Sequence, residues 1–222
     1  MKMKELFDRG EFAVSAEVGP PKGIHVNELV EEAKTYLTGV HAVNVTDNQS
    51  SVMRLGSLAM CKVLKDAGLN PIFQMTCRDR NRIALEPPKF SKGAVVSPCS
   101  DSVDAQLAKM ERKVAAGADY FQTQAVFEPE KFIKFMEKAK QFGKPVQVGI
   151  IIPKSVGMVR FMNNNVAGIH VPDEMIEELK ADKEKTKAGI TGVEIAARII
   201  KECKPYCQGV HIMALGWESK IP

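Results

Sequence analysis

A glutamate embedded in an apolar stretch is the first feature with chemical potential. Residues 11–19 read Glu-Phe-Ala-Val-Ser-Ala-Glu-Val-Gly, and Glu17 sits just ahead of the turn Gly19-Pro20-Pro21-Lys22. An ionised carboxylate in such a strand is costly, which favours its protonated form and suits it to acid catalysis. A structural glutamate paired with a lysine explains the position equally well. Thr46-Asp47-Asn48-Gln49-Ser50-Ser51 is a run of small polar donors and acceptors, readable as a binding rim or as a plain Asx turn. Gln74 is a neutral amide in the apolar segment Pro71–Thr76, able to hold a heterocycle by paired hydrogen bonds. Gln122 and Gln124 alternate within Tyr120–Phe127, which places both on one face, expected to be the interior. Lys109, Arg112 and Lys113 are spaced by three and four along a helical stretch. They form either a solvated surface or a grip for a phosphate.

These residues need a scaffold, and the apolar pattern supplies one. Short apolar strands are expected at Glu11–Gly19, Ala42–Thr46, Pro71–Thr76, Gly93–Ser97, Tyr120–Phe127, Val146–Ile152 and Gly209–Leu215. Helical stretches separate them, near Val26–Leu37, Met53–Ala67, Val103–Ala116, Glu130–Phe142, from Ser155, and over the charged span Pro172–Lys201. Gly39, Gly68, Gly117 and Gly143 each follow a helical stretch, where a left-handed C-terminal cap favours glycine. Strands apolar on both faces and alternating with helices imply βαβ units in a parallel sheet. The repeat length suits a single (β/α)8 TIM barrel over residues 1–222, with catalysis at the C-terminal strand ends.

Composition narrows the function classes. The chain has 222 residues, 45% hydrophobic and 26% charged, as in ordinary globular proteins. Its apolar runs fall far short of the roughly 20 residues a membrane span needs, and the N-terminus has no apolar core of signal-peptide length. The net charge of +4 is dispersed, with no aromatic-interleaved basic stripe, so nucleic acid is not an expected partner. Five scattered cysteines without a CxxC pair point to reduced thiols, a cytoplasmic location and no metal site.

Six blocks in register resemble the methylenetetrahydrofolate reductase family, a flavin-dependent (β/α)8 barrel. They are residues 16–22, Ala-Glu-Val-Gly-Pro-Pro-Lys; 43–48, Val-Asn-Val-Thr-Asp-Asn; 75–79, Met-Thr-Cys-Arg-Asp; 112–119, Arg-Lys-Val-Ala-Ala-Gly-Ala-Asp; Thr123-Gln124 with Phe127; and 210–215, Val-His-Ile-Met-Ala-Leu. The resemblance implies reduction of 5,10-methylenetetrahydrofolate to 5-methyltetrahydrofolate. By position Glu17 is similar to the family's general acid, which opens the imidazolidine ring to an iminium at N5. Gln124 is similar to the pterin-binding glutamine and Thr46 to a flavin-contacting threonine. Gln74 stands where other members have a histidine near the cofactor. Arg112 and Lys113, with Lys109 beside them, match residues that hold the phosphate of FAD, or of FMN. The resemblance also implies an electron source, either NAD(P)H or a reduced iron–sulfur partner subunit or ferredoxin, and an oligomer or heteromeric complex.

Two departures stand out. The family's Leu-Thr-Gly-Asp block, expected on the fourth barrel strand, has no counterpart between Asp79 and Gly93. The strand count stops at seven in the same place, so the chain is short by about one βα unit, roughly 40 residues, between about residues 86 and 93. Either the unit is missing from this sequence, or a true deletion leaves a non-catalytic folate- or flavin-binding scaffold or electron-relay subunit. The last strand ends in Gly216-Trp217-Glu218 where some members have Asn-Arg.

Overall fold

The computed structural model describes residues 2–76, 91–185 and 190–221. Seven strands form: β1 (Ala13–Val18), β2 (Ala42–Val45), β3 (Pro71–Phe73), β4 (Gly93–Val96), β5 (Tyr120–Ala125), β6 (Val146–Ile151) and β7 (Gly209–Met213). Each lies inside a strand expected from the sequence. They make one sheet in the order β3-β2-β1-β7-β6-β5-β4, with every neighbouring pair parallel. The first strand therefore pairs with the last, and the ring order of a barrel is kept except between β3 and β4. Those two are the sheet's edges, so among the described residues the sheet is a curled open barrel of seven strands, not a closed one of eight. Residues 77–90, where the shortage of a βα unit was expected, fall outside the described residues.

Among the described residues eight α-helices accompany the strands: α1 (Met3–Asp8), α2 (Asn27–Tyr36), α3 (Ser57–Asp66), α4 (Val103–Ala115), α5 (Pro129–Ala139), α6 (Val156–Asn165), α7 (Asp173–Lys185) and α8 (Ile190–Cys203). The charged helical span expected at 172–201 holds α7 and α8. Gly68, Gly117 and Gly143 have left-handed φ as expected of caps, whereas Gly39 does not. Ser102 and Ser155 cap α4 and α6 by accepting from Ala105 N–H and Met158 N–H.

Strand alternation sorts side chains into two populations. The helix-facing side of the sheet carries Ala16, Val43, Val45, Phe121, Val146, Val148, Ile150 and Val210, all buried. Against them pack Met60 and Leu64 of α3, Phe132 and Phe135 of α5, and Ile195 and Ile199 of α8. Each fully buried side chain of this size contributes about 1.5–3 kcal/mol, so this shell carries most of the fold's stability.

The inner face is different. Its N-terminal end is closed by α1, where Met3 and Leu6 pack with Ala13, Ala42 and Tyr120, and Phe7 lies 5.5 Å from the Tyr120 ring. Above this apolar plug the inner face turns polar: Ser15, Asn44, Gln147 and His211 are at most 3% exposed. A closed bottom and a polar middle leave the C-terminal strand ends as the way in.

Candidate functional site at the C-terminal strand ends

One hydrogen-bonded network organises the inner face. Asn44 on β2 donates through Nδ2 to Gln122 Oε1 on β5 at 2.7 Å, and Gln122 Nε2 donates to Gln147 Oε1 at 2.9 Å. Gln147 Nε2 approaches Ser15 Oγ and the carbonyls of Ala13 and Val210 at 3.3–3.4 Å. Ser15 Oγ lies 3.1 Å from His211 Nδ1. His211 Nε2 in turn stands 3.6 Å from Glu17 Oε2, an ion-pair distance with both side chains nearly buried. The sheet register sets this up, pairing Ser15 with His211 and Glu17 with Asn44. Glu17 therefore ends a buried polar chain, and its partner is a histidine where a lysine was one expectation.

Above Glu17 opens a cavity of about 360 Å³, lined by Glu17, Gly19, Leu29, Glu32, Arg54 and Glu218 among others. Gln49 Nε2 reaches Glu17 Oε1 at 3.5 Å. Arg54 donates to the Pro20 carbonyl at 2.8 Å, while its buried Nε has no partner. Partial burial, and then the charges of Glu218 and Glu28, raise the proton affinity of Glu32. Burial lowers that of Lys154, whose ammonium meets the Leu215 carbonyl and lies over the Trp217 ring at 5.4 Å. Leu215 holds a left-handed φ of 54° at the cavity wall, a costly conformation for a bulky residue. A carboxyl group in the lining, among mixed donors, acceptors and apolar side chains, can exchange a proton with a bound heterocycle and orient it.

Thr46 closes β2, its N–H donating to Val18 O at 3.1 Å. Its Oγ1 is buried without a hydrogen-bond partner. The neighbouring Asp47 accepts from Ser57 Oγ and Thr76 N–H, which ties the ends of β2 and β3 together. Gln74 is half-buried just past β3, where its N–H donates to Val45 O and its carbonyl accepts from Ser57 Oγ.

Gln122 and Gln124 do not behave as a pair. The β5–β6 register shifts between Gln122 and Ala125, so three steps on β5 match two on β6. Thr123 Oγ1 fills the irregularity, accepting from Gly149 N–H at 2.8 Å and donating to Gln124 O at 2.7 Å. A Cβ on Gly149 would sit 2.3 Å from Thr123 O, so only glycine fits beside this bulge. Gln122 joins the network below it, and Gln124 lies beyond it, its Oε1 accepting from Ala125 N–H at 3.4 Å.

The basic residues of α4 sit beside the opposite edge strand. Lys109 and Arg112 are exposed, and Arg112 Nε bonds Ala108 O within its own helix. Lys113 Nζ donates to Val95 O of β4 at 2.5 Å. Ser15, Asn44, Gln147, Arg54 and His211 were not singled out from the sequence as site residues. The signal available for four of them was a polar side chain inside an apolar strand, the same that marked Glu17. Among the described residues no group of His, Cys, Asp or Glu could hold a metal, and no helix is long and apolar enough to cross a membrane.

A parallel seven-stranded sheet curled in barrel order, plugged below and carrying a cavity at its C-terminal strand ends, makes this an α/β protein with an open half-barrel, consistent with a TIM-like barrel. The chain belongs to the methylenetetrahydrofolate reductase family, whose model matches residues 2–88 and 92–222. Its fold is similar to that of an uncharacterized protein from Clostridium thermocellum that binds two copies of 5-methyl-5,6,7,8-tetrahydrofolic acid. That likeness has a TM-score of 0.76 at 14% identity, over 100% of this chain and 96% of that one. A looser likeness, with a TM-score of 0.44 and 14% identity over 91% and 88% of the two chains, is to Yersinia pestis DHPS with a pterine–sulfa conjugate. No curated protein matches the chain.

Proposed function

We propose that this protein binds methylenetetrahydrofolate at the C-terminal mouth and takes part in its flavin-dependent reduction to 5-methyltetrahydrofolate. The observation that carries the proposal is Glu17 in the cavity lining, at the position where the resemblance to the family puts its acid. Its carboxyl group delivers a proton to the nitrogen that leaves the methylene carbon, which opens the ring to the iminium. Gln124, at the end of β5, hydrogen-bonds the pterin edge.

The chain offers groups that fit a flavin. Thr46 presents a buried hydroxyl with no partner, the kind of group a bound heterocycle satisfies. Thr46 and Gln74 would hold the ring system, and Lys109, Arg112 and Lys113 the phosphate of FAD or FMN. When bound, the reduced flavin supplies hydride to the methylene carbon. The electrons come from NAD(P)H or from a reduced iron–sulfur partner.

A second reading, a folate- or flavin-binding subunit without full catalysis, draws on the open sheet between β3 and β4 and the break in the family match at 89–91. Two titrations separate the readings: the visible spectrum of the purified protein with FAD or FMN, and 5-methyltetrahydrofolate binding. The reductase reading expects both ligands and anaerobic bleaching of the flavin by 5-methyltetrahydrofolate. A bound flavin that does not respond leaves the scaffold reading, absence of folate binding removes the reductase reading, and absence of both ligands removes both.

A further inference from the structure

We infer that Lys154 and Glu218 are positioning residues for the cavity wall, gripping opposite edges of the Leu215–Gly216 peptide and holding it in a turn that leucine disfavours. The inference deepens the proposed function and rests on it for the identity of the ligand. The grip itself is independent of that reading.

The turn follows β7 and has the pattern of type I′. Trp217 N–H donates to Ala214 O at 3.2 Å, and the two central residues, Leu215 and Gly216, hold φ of 54° and 88°. Such turns favour Asn, Asp or Gly at their centre. Gly216 complies, whereas Leu215 takes the conformation at a steric cost. Packing does not impose it, since Leu215 is 41% exposed. Charge does. The Leu215 carbonyl accepts from the ammonium of Lys154, which lies just past β6. The N–H of the same peptide group, that of Gly216, donates to Glu218 Oε1 at 3.0 Å. A cation thus holds the oxygen edge of one peptide plane and an anion its nitrogen edge, both aligned with the peptide dipole. Reversing that peptide would lose both contacts. Lys154 is steadied in turn, its Nζ lying 5.4 Å from the Trp217 ring centroid. Burial lowers its proton affinity, and the attraction of Glu218 works against that effect. Leu215, Gly216 and Glu218 line the cavity beside Glu17, and Lys154 acts from behind them. The pair therefore fixes the wall against which a ligand settles. Gly216-Trp217-Glu218 is also the stretch where the sequence departs from the Asn-Arg of some family members.

The test is a double-mutant cycle on the full chain, read by urea unfolding and by 5-methyltetrahydrofolate affinity. Glycine adopts left-handed φ freely, so Leu215→Gly removes the need for the grip. Lys154→Met should lower the unfolding midpoint and weaken 5-methyltetrahydrofolate binding about tenfold. In the Leu215→Gly background the same change should move the midpoint far less and alter binding by under about twofold. Glu218→Ala should show the same dependence on Leu215. Lys154→Arg keeps a charged donor for the Leu215 carbonyl and should stay within about threefold of the parent. Trp217 is the single tryptophan of the chain, so its emission reports the grip, and Lys154→Met should shift it before ligand is added. An equal Lys154→Met effect in both backgrounds, or an unchanged Trp217 emission, overturns the inference. A lowered midpoint with unchanged affinity overturns the positioning role and makes Lys154 a purely structural residue. Failure of the parent to bind 5-methyltetrahydrofolate sinks the proposed function, and the midpoint cycle and the emission then decide the grip alone.

Discussion

Asn44 of β2 donates a 2.7 Å hydrogen bond to Gln122 of β5, although three strands separate β2 from β5 in the sheet. Only a curled sheet brings these two side chains together, so the bond is both a result of the curvature and a tie that maintains it. Replacing Asn44 with alanine leaves the half-buried Gln122 amide under-satisfied, which costs about 1–3 kcal/mol. Urea unfolding should show a lower midpoint with an unchanged slope. A change below about 0.5 kcal/mol would mean that the helices alone hold the curl.

Much of this architecture was legible in the chain. All seven strands were, because each is a short apolar run bounded by Gly, Pro or polar turns, and Glu17 was, because a carboxylate in such a run is conspicuous. The companions of Glu17 were not. His211 is 194 positions away and meets Glu17 only because β7 pairs with β1, a consequence of ring order that no local pattern encodes. Gln124 was expected to share a face with Gln122 by simple alternation, and the bulge at Thr123 breaks that alternation. The α1 plug went unread although Met3, Leu6 and Phe7 have helical spacing, because the helix is only six residues long.

The Thr46 hydroxyl gives a test of the cofactor site that separates ligand from fold. Because Oγ1 has no partner in the protein, Thr46→Val should leave stability unchanged or slightly raised. The same variant should weaken flavin binding by about tenfold if the hydroxyl meets the ring. Thermal melting without ligand and a fluorescence titration with FAD or FMN read the two effects. A variant that is destabilised, yet binds flavin like the parent, would place the hydroxyl in a structural role.

Burial sets the alkaline limit of the fold. It pushes the thiols of Cys61 and Cys99 up to about 11 and that of Cys203 to about 12, and the Tyr120 phenol to about 12. In the unfolded chain thiols ionise near 8.5 and the phenol near 10. Between those values and the folded ones the native state keeps protons that the unfolded state has lost, so stability falls as pH rises. Unfolding midpoints should be flat with respect to these groups below pH 8 and decline from about pH 9 to 12. Iodoacetamide labelling with residue-level mass spectrometry at pH 8 should leave Cys61, Cys99 and Cys203 unmodified in the native state. Rapid labelling of any of the three would contradict their burial.

The role of Glu17 is decided by comparing two half-reactions in one flavin-loaded protein under anaerobic conditions. In the parent, 5-methyltetrahydrofolate should bleach the oxidised flavin. In Glu17→Gln that step should slow by about 10²-fold or more, while reduction of the flavin by the electron donor keeps its rate. Equal slowing of both half-reactions, or a bound flavin that 5-methyltetrahydrofolate does not bleach in the parent, would contradict an acid at Glu17 acting on folate.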